Sequence, residues 1–254
     1  MGMAKISKSR VDILLVERGL AKSRDRAKAL VMAGSVFSGG RRIDKAGDTL
    51  PSDCDLVVRS TIHPWVSRGG IKLVHALEYF NLSTSGAVAL DVGASTGGFT
   101  DVLLEYRARK VYAVDVGHGQ LAWKLRQDDR VVVLERTNAR YLSHEQVPEP
   151  VDVIVCDVSF IGLELVLPPA MNLAASLAVL VALIKPQFEV GRDQVGHKGV
   201  VRDPMLHNEV CIRIQDFVAC RPGWHVLGVL ESPIQGPKGN REFLLAAQYN
   251  AASI

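Results

Sequence analysis

Four charged side chains stand where the ends of predicted strands and a helix would bring them together. Asp157 follows the apolar stretch 151–156, and Lys185 follows the apolar stretch 177–184. Glu242 precedes the apolar stretch 243–249, and Lys72 stands just after two glycines at the start of a predicted helix. Ligands of an open α/β sheet bind at the carboxyl ends of its parallel strands, which places Asp157 and Lys185 at such a site. Lysines beside carboxylates can hold a substrate and take a proton from it.

The protonation state of Lys185 stays open at this point. Nearby acids would keep its ammonium group charged. Burial behind an apolar strand, together with the charge of Lys72, would instead favour the neutral amine, which is the form that accepts a proton.

A glycine-rich turn opens the same predicted sheet. The stretch 88–92 is a predicted buried strand that contains Asp91, and a helix begins near residue 99. Glycines between the two let the backbone approach a ligand, and the helix N-terminus offers free N–H groups. The spacing departs from the dinucleotide fingerprint G-x-G-x-x-G, because three residues separate Gly93 from Gly97. We therefore expect a nucleoside cofactor other than a dinucleotide.

Polar residues at the ends of the next strands favour S-adenosylmethionine as that cofactor. Asp115 ends the predicted second strand, 111–115, where such folds hydrogen-bond a ribose diol. Asn138 follows the third strand, 131–134, and would contact the adenine. The predicted cofactor-binding residues are Asp91, Gly93, Ser95, Gly97, Gly98, Phe99, Asp115, Asn138 and Asp157.

Two lysines and two carboxylates suit methyl transfer to a ribose hydroxyl, because that oxygen must lose a proton as it is alkylated. Transfer to a base nitrogen would favour an Asn-Pro-Pro-Tyr-like motif after the fourth strand, where this chain continues from Asp157 with Val-Ser-Phe. Transfer to a pyrimidine carbon would need a cysteine nucleophile. Cys156 lies next to the strand-end acid and should face the buried side. The ribose oxygen is thus the better target.

Composition and charge limit the other classes of function. The chain has 254 residues and a net charge of +3, and residues 1–60 hold 12 Lys and Arg against 7 Asp and Glu. A polyanionic partner would dock at that basic segment.

The four cysteines and seven histidines show no metal-site spacing, so we expect no metal. The longest apolar run, 173–184, is shorter than the ~20 residues that span a bilayer, and we expect a helix end followed by a strand there. No signal peptide is recognisable, which predicts a soluble, cytoplasmic protein without stable membrane insertion.

Residues 1–60 resemble the S4 RNA-binding domain. Two helices, capped by Ser9 and Ser23, precede a hairpin with a turn at Gly39-Gly40 and a further strand over 49–59. Phe37 and Ser38 depart from the family pattern, and the adjacent glycines keep the turn. The residues that match the pattern are Arg10, Val11, Asp12, Leu15, Gly19, Ser23, Arg24, Ala27, Leu30, Gly34, Ser35, Val36 and Gly40. Phosphate contacts would position a folded RNA. The predicted RNA-binding residues are Arg10, Lys22, Arg24, Arg26, Lys28, Arg41, Arg42 and Arg68.

The S4-like segment joined to this core resembles the TlyA family of ribosomal RNA 2′-O-methyltransferases, whose catalytic half is similar to the FtsJ (RrmJ) type. The matching stretches are residues 65–73, 91–101, 185–189, 196–204 and 232–243. The resemblance implies a catalytic tetrad of Lys72, Asp157, Lys185 and Glu242, with Lys185 as the base. It also implies methylation of cytidine in the ribosomal RNA of the small subunit, and in some members also of the large subunit, with ribosomal subunits as partners.

The fold class expected from these patterns is α/β. It comprises a Rossmann-like class I methyltransferase sheet, mostly parallel with an antiparallel last strand, and a small N-terminal α+β S4 domain. The expected domains are residues 1–60 and 71–254, joined by a linker over 61–70 with a hinge at Gly69-Gly70. Two alternatives remain: a membrane-active haemolysin, as members of this family are often named, and a non-catalytic RNA-binding protein. The sequence leaves the oligomeric state and the modified nucleotide open.

Overall fold

The computed structural model describes residues 7–32, 34–58, 63–191 and 193–253. The chain divides into two compact units, Met1–Pro64 and Trp65–Ile254. The division falls inside the segment 61–70 that was predicted as a linker, and residues 65–70 pack with the second unit. Arg59, the last residue of the predicted strand 49–59, lies outside the described residues, as do residues 1–6.

The first unit is a small α+β domain. Its elements are β1 (Lys8–Arg10), α1 (Val11–Glu17), α2 (Arg24–Met32), β2 (Val36–Ser38), β3 (Arg41–Arg42), β4 (Thr49–Pro51) and β5 (Leu56–Val58). β2 pairs with β3 and β5, and β1 pairs with β4. The single strand predicted over 49–59 is wrong, because a turn in which Cys54 N donates to Pro51 O divides it into β4 and β5. Gly39 and Gly40 both have positive φ, as a two-residue hairpin turn requires.

The second unit is built on a seven-stranded sheet. Its strands are β6 (Val88–Val92), β7 (Lys110–Val114), β8 (Val131–Leu134), β9 (Val151–Cys156), β10 (Ala174–Ile184), β11 (Trp224–Glu231) and β12 (Phe243–Asn250). The order across the sheet is β11-β12-β10-β9-β6-β7-β8. β12 runs antiparallel to both of its neighbours, whereas β10, β9, β6, β7 and β8 are parallel. The predicted fold class is confirmed.

Helices cover both faces of this sheet. They are α3 (Gly69–Tyr79), α4 (Gly98–Glu105), α5 (Trp123–Arg126), α6 (Leu163–Met171), α7 (Pro186–Glu189) and α8 (Pro204–Ala219). Leu73 of α3 belongs to the core on one face, and Ile214 of α8 belongs to the core on the other. Leu244 and Leu245 of β12 enter opposite cores, since successive strand residues point to opposite faces.

Two local predictions about this unit are wrong. α6 ends at Met171, so the apolar run that follows contributes only strand β10 and no helix end. Gly69 and Gly70 do not break the chain before a helix, because they are the first residues of α3. A Cβ atom on Gly70 would lie 2.4 Å from the Trp65 ring, so this glycine allows the segment before α3 to pack against it.

No helix in the described part of the chain combines the length and the apolar character that crossing a membrane requires. Among those same residues, no group of three or more His, Cys, Asp or Glu side chains is arranged to hold a metal ion.

Candidate active site

Two lysine–carboxylate pairs lie at the carboxyl edge of the parallel strands. Lys72, in the first turn of α3, donates a hydrogen bond to Glu242 Oε2 over 2.5 Å. Lys185, directly after β10, places Nζ 2.6 Å from Asp157 Oδ1, directly after β9. Glu242 reaches the same edge because β12 is antiparallel, so that its amino end meets the carboxyl ends of the parallel strands. All four residues predicted as catalytic are thus brought to this edge.

The two pairs are electrostatically linked through Asp157. Burial alone would raise the pKa of this carboxyl, but the charges of Lys185 and Lys72 outweigh burial and hold the pKa below its usual value. Asp157 is therefore ionised at neutral pH. An ionised carboxylate at this place stabilises positive charge on either lysine.

Lys185 has two further neighbours. Its Nζ donates to Ser159 Oγ over 2.9 Å and lies 6.0 Å from the centre of the Phe188 ring. The Phe188 ring packs against Phe160, with 4.9 Å between the ring centres. The Phe160 side chain is 90% exposed, and its backbone adopts a left-handed φ of 67° that a bulky residue rarely takes. The exposed Phe160 ring therefore packs against the ring that lies beside the lysine amine.

The glycine turn after β6 is built for close backbone approach. Gly93 and Gly97 have positive φ values of 86° and 93°. A Cβ atom on Gly93 would lie 2.6 Å from the carbonyl oxygen of Asp157, and one on Gly98 would lie 2.2 Å from Ser67 Oγ. The turn therefore brings the start of α4 against both the strand end that carries Asp157 and the segment before α3.

Asp91 is a fully buried carboxyl group beneath this turn. Its Oδ2 accepts a hydrogen bond from Thr100 Oγ1 over 2.6 Å, whereas its Oδ1 has no partner among the described residues. Burial raises the pKa of Asp91 to about 7, the Thr100 hydrogen bond opposes that rise, and the charge of Asp157 adds to it. A ligand with a positively charged donor would satisfy the unpartnered oxygen and stabilise the ionised form.

The other predicted cofactor residues play mixed roles. Both oxygens of Asp115 accept backbone N–H groups, from Ser95 over 2.8 Å and from Gly117 over 2.7 Å, so this acid ties the glycine turn to the end of β7. The Asn138 side chain caps a short 3₁₀ turn by accepting from Arg140 N. Phe99 is buried in the core, which leaves its backbone N–H as the group that a ligand at the helix start would meet.

The predicted RNA-binding arginines of the first unit are partly organised by a buried acid. Asp12 is fully buried and receives hydrogen bonds from Arg10 and Arg24. The Arg10 hydrogen bonds hold the pKa of Asp12 far below its usual value despite burial, and Arg24 adds to this. Both guanidinium groups stay about half exposed, at 46% and 55%. Their remaining N–H groups can therefore still meet phosphate.

The remaining predicted RNA-binding residues lie on two different units. Lys28 and Arg42 form surface ion pairs with Asp25 and Asp44. Lys22, Arg26 and Arg41, also in the first unit, are exposed. Arg68 lies in the second unit, half-buried at the start of α3.

Sequence reasoning missed three residues at the site. Ser159 accepts a hydrogen bond from Lys185, and Phe160 packs against the Phe188 ring next to it. A Cβ atom on Gly236 would lie 2.0 Å from Glu242 Oε1. The only signal for Gly236 was its place in a glycine- and proline-rich stretch before Glu242. Ser159 and Phe160, the second and third residues after Asp157, entered the sequence analysis only as a mismatch to the Asn-Pro-Pro-Tyr-like motif.

Replacing Gly93 by alanine should destabilise the second unit and impair the site. We expect the free energy of unfolding to fall by roughly 2–5 kcal/mol, because the new side chain adds positive-φ strain and overlaps the Asp157 backbone, which cannot rotate away as a side chain could. Urea denaturation measures this change. Gly86→Ala is the matched control, since Gly86 has a φ of 74° with nothing within 4 Å of a Cβ atom. The control should lose only about 1–2 kcal/mol. Equal losses in the two variants would contradict the role given to close approach.

The comparisons with known proteins agree with the fold. Residues 65–249 match the model of the FtsJ-like methyltransferase family, and residues 9–56 match the S4 domain. The 16S/23S rRNA (cytidine-2′-O)-methyltransferase TlyA of Mycobacterium tuberculosis is 50% identical over 94% of this chain and 89% of its own length. Hemolysin A of Brachyspira hyodysenteriae is 39% identical over 92% of this chain and 98% of its own length.

A solved structure from Streptococcus thermophilus, which carries a provisional hemolysin name, has a TM-score of 0.73 and 43% identity. The match covers 97% of this chain and 90% of that one. The sheet order and these matches identify one family. This chain belongs to the FtsJ-like methyltransferases, and carries an S4 domain ahead of the methyltransferase unit.

Proposed function

We propose that this chain methylates the 2′-hydroxyl of a ribose in ribosomal RNA, with S-adenosylmethionine as the methyl donor. The observation that carries the proposal is the pair of lysine–carboxylate contacts at one sheet edge, Lys185 with Asp157 and Lys72 with Glu242. By analogy with the relative from Mycobacterium tuberculosis, the target is a cytidine in 16S rRNA, with 23S rRNA as a second substrate. Ribosomal subunits would be the partners, and the cytoplasm the place of action.

The residues below the glycine turn fit the proposed donor. S-adenosylmethionine, when bound, supplies a methyl group activated by a positively charged sulfur, and it carries an ammonium group and a ribose diol. The unpartnered Oδ1 of Asp91 would accept from the ammonium group. The free lone pairs of Asp115 would face the diol. The glycines, having no Cβ atoms, let the turn pack closely against the Asp157 backbone and Ser67, which brings the start of α4 to this edge.

The lysine pair gives this site its proton chemistry. In its neutral form, the amine of Lys185 takes the proton of the ribose hydroxyl as the oxygen is methylated. The ammonium group that results lies against Asp157, whose negative charge stabilises it. Glu242 holds Lys72 near Asp157, and Lys72 in turn keeps Asp157 ionised. The charge of the site therefore favours the state that follows proton transfer.

Methyl transfer from labelled S-adenosylmethionine to unmodified small and large ribosomal subunits tests the proposal. We expect label at one ribose, mapped by nuclease digestion, with the adjoining phosphodiester resistant to alkaline cleavage. A protein that binds the donor but labels neither subunit would contradict the ribosomal assignment. A protein that does not bind the donor at all would favour a non-catalytic RNA-binding role.

The exposed Phe160 ring should stack on a base of the RNA substrate. We expect Phe160→Ala to raise KM for RNA on the order of tenfold, because stacking of a base on an aromatic ring contributes about 1–3 kcal/mol. Folding stability should barely change, since the ring is 90% exposed. Steady-state kinetics with RNA as the varied substrate measure the effect. Tyr79→Ala, an exposed aromatic at the far end of α3, is the control, and an equal KM change in both variants would remove the stacking role.

The haemolysin hypothesis rests on names borne by relatives and has no support from the site geometry. Leakage of liposomes caused by low concentrations of the purified protein would support the haemolysin hypothesis.

A further inference from the structure

Beyond the proposed function, on which this inference rests, we infer that Ser159 is a positioning residue that fixes the direction of the Lys185 lone pair. The contacts around Nζ suggest it. Nζ donates a hydrogen bond to Ser159 Oγ over 2.9 Å, whereas Asp157 Oδ1, 2.6 Å from Nζ, is an ion-pair partner that does not have hydrogen-bond geometry. An amine nitrogen bonded to Cε has three other tetrahedral directions, and the Ser159 hydrogen bond fixes an N–H in one of them.

The direction of the lone pair matters for taking a proton. A neutral amine carries two N–H bonds and one lone pair. With one N–H donated to Ser159, the negative charge of Asp157 attracts the second N–H and repels the lone pair, which therefore takes the direction away from Asp157. Without the Ser159 hydroxyl, one N–H is released, and rotation about the Cε–Nζ bond exchanges it with the lone pair. An amine turned in that way donates to the substrate oxygen instead of accepting its proton.

The backbone on both sides of Ser159 holds its hydroxyl in place. Asp157 N donates to Val92 O over 2.9 Å, which fixes the start of the loop on strand β6. At its other end, Leu163 N donates to Glu189 Oε1 over 2.9 Å. Arg213 holds the second oxygen of Glu189. The loop 157–163 is thereby fastened at both ends to elements that flank Lys185.

The position of Ser159 also makes the inference testable. Ser159 is exposed, so water can reach the buried Lys185 amine when the hydroxyl is removed, and the variant should fold normally. Water can occupy the vacated place in the free protein. RNA that covers the loop excludes that water, so the hydroxyl matters mainly when the substrate is bound.

Kinetics of wild type, Ser159→Ala and Ser159→Thr form the first half of the test. We expect alanine to lower kcat about ten- to a hundredfold, with KM for RNA and the affinity for S-adenosylmethionine within about twofold of wild type. Threonine keeps a hydroxyl and should restore kcat to within about threefold. Ser85→Ala, an exposed serine at the opposite end of the sheet, should change nothing. Wild-type kcat in Ser159→Ala, or a change confined to KM for RNA, would overturn the inference.

The second half does not depend on activity. The ¹⁵N NMR signal of the Lys185 side-chain nitrogen, assigned by its loss in Lys185→Met, should shift in Ser159→Ala and return in Ser159→Thr. An unchanged signal would overturn the inference, whatever the kinetics. If wild type labels neither subunit while the signal shifts, the proposed function fails and the amine–serine contact stands.

Discussion

Lys185→Met is expected to lower the rate of methyl transfer about 10²–10⁴-fold, the range associated with loss of a general base. Methionine keeps the length and much of the apolar stem of lysine, while the proton acceptor is gone. The affinity for S-adenosylmethionine should stay within a few-fold, because Asp91 and the glycine turn do not contact the amine. Single-turnover transfer and calorimetric titration of the donor measure the two effects separately.

The control for this variant is Lys110→Met, which removes a lysine paired with Glu149 at the opposite end of strand β7. It should leave the transfer rate unchanged. Lys185→Met also leaves the half-buried Asp157 with Lys72 as the one cation partner that remains among the described residues of the site, so the folding of the variant should be checked by circular dichroism. Full activity in a folded Lys185→Met protein would remove Lys185 from the role of base.

Asp91→Asn should have opposite effects on donor binding and on folding. The affinity for S-adenosylmethionine is expected to fall by more than about tenfold, since the variant loses the charge that faces the donor's ammonium group. The free protein, by contrast, should become more stable at high pH. A buried carboxylate with one unpartnered oxygen is costly, and asparagine carries no charge there.

The pH dependence of folding stability determines whether Asp91→Asn stabilises or destabilises the protein. Folding raises the pKa of Asp91 from 3.8 to about 7, so the folded state binds this proton more tightly than the unfolded state does. The contribution of Asp91 to the stability of the folded state is therefore fully present below about pH 4. It is lost as the pH rises to about 7, by about 1.4 kcal/mol per pH unit. The free energy of unfolding of Asp91→Asn should be closer to that of wild type at pH 5 and should exceed it at pH 8.

Urea denaturation without the donor, at both pH values, measures this difference. Asp152→Asn is the control, because Asp152 accepts a hydrogen bond from Val88 N at the far end of the same sheet and should show no such gain. A variant that is less stable than wild type at pH 8 would mean that the Asp91 carboxylate is not a strained group. In wild type, donor affinity should also weaken as the pH falls through about 7.

The positions of the site residues could be predicted because each depends on a strand end. Asp115, Asp157 and Lys185 follow apolar runs, and parallel strands bring their carboxyl ends to one edge. The pairing could not be predicted in the same way. Lys72 meets Glu242 across 170 residues of sequence, and that contact depends on where the antiparallel strand inserts into the sheet.

The errors have equally local causes. Residues 173–184 are apolar throughout apart from Ser176, so neither helical nor strand periodicity marks where one element ends and the next begins. Gly69 and Gly70 suggested a break, yet close packing against Trp65 makes a glycine necessary inside α3. Ser159 and Phe160 escaped notice because loop residues show no periodicity, and their importance depends on a neighbour that is 26 residues away in the case of Ser159.

The insertion of β12 between β10 and β11 also sets the order in which this protein can assemble during synthesis. β12 is the last of the seven strands in sequence, so a growing chain that has completed β10 and β11 still has an open gap in its sheet. Until β12 fills that gap, the edge of β10 is unpaired and Lys72 has no Glu242 to meet. A nascent chain at that stage exposes a long apolar strand edge. Chaperones bind surfaces of this kind, and other chains can aggregate by pairing with them.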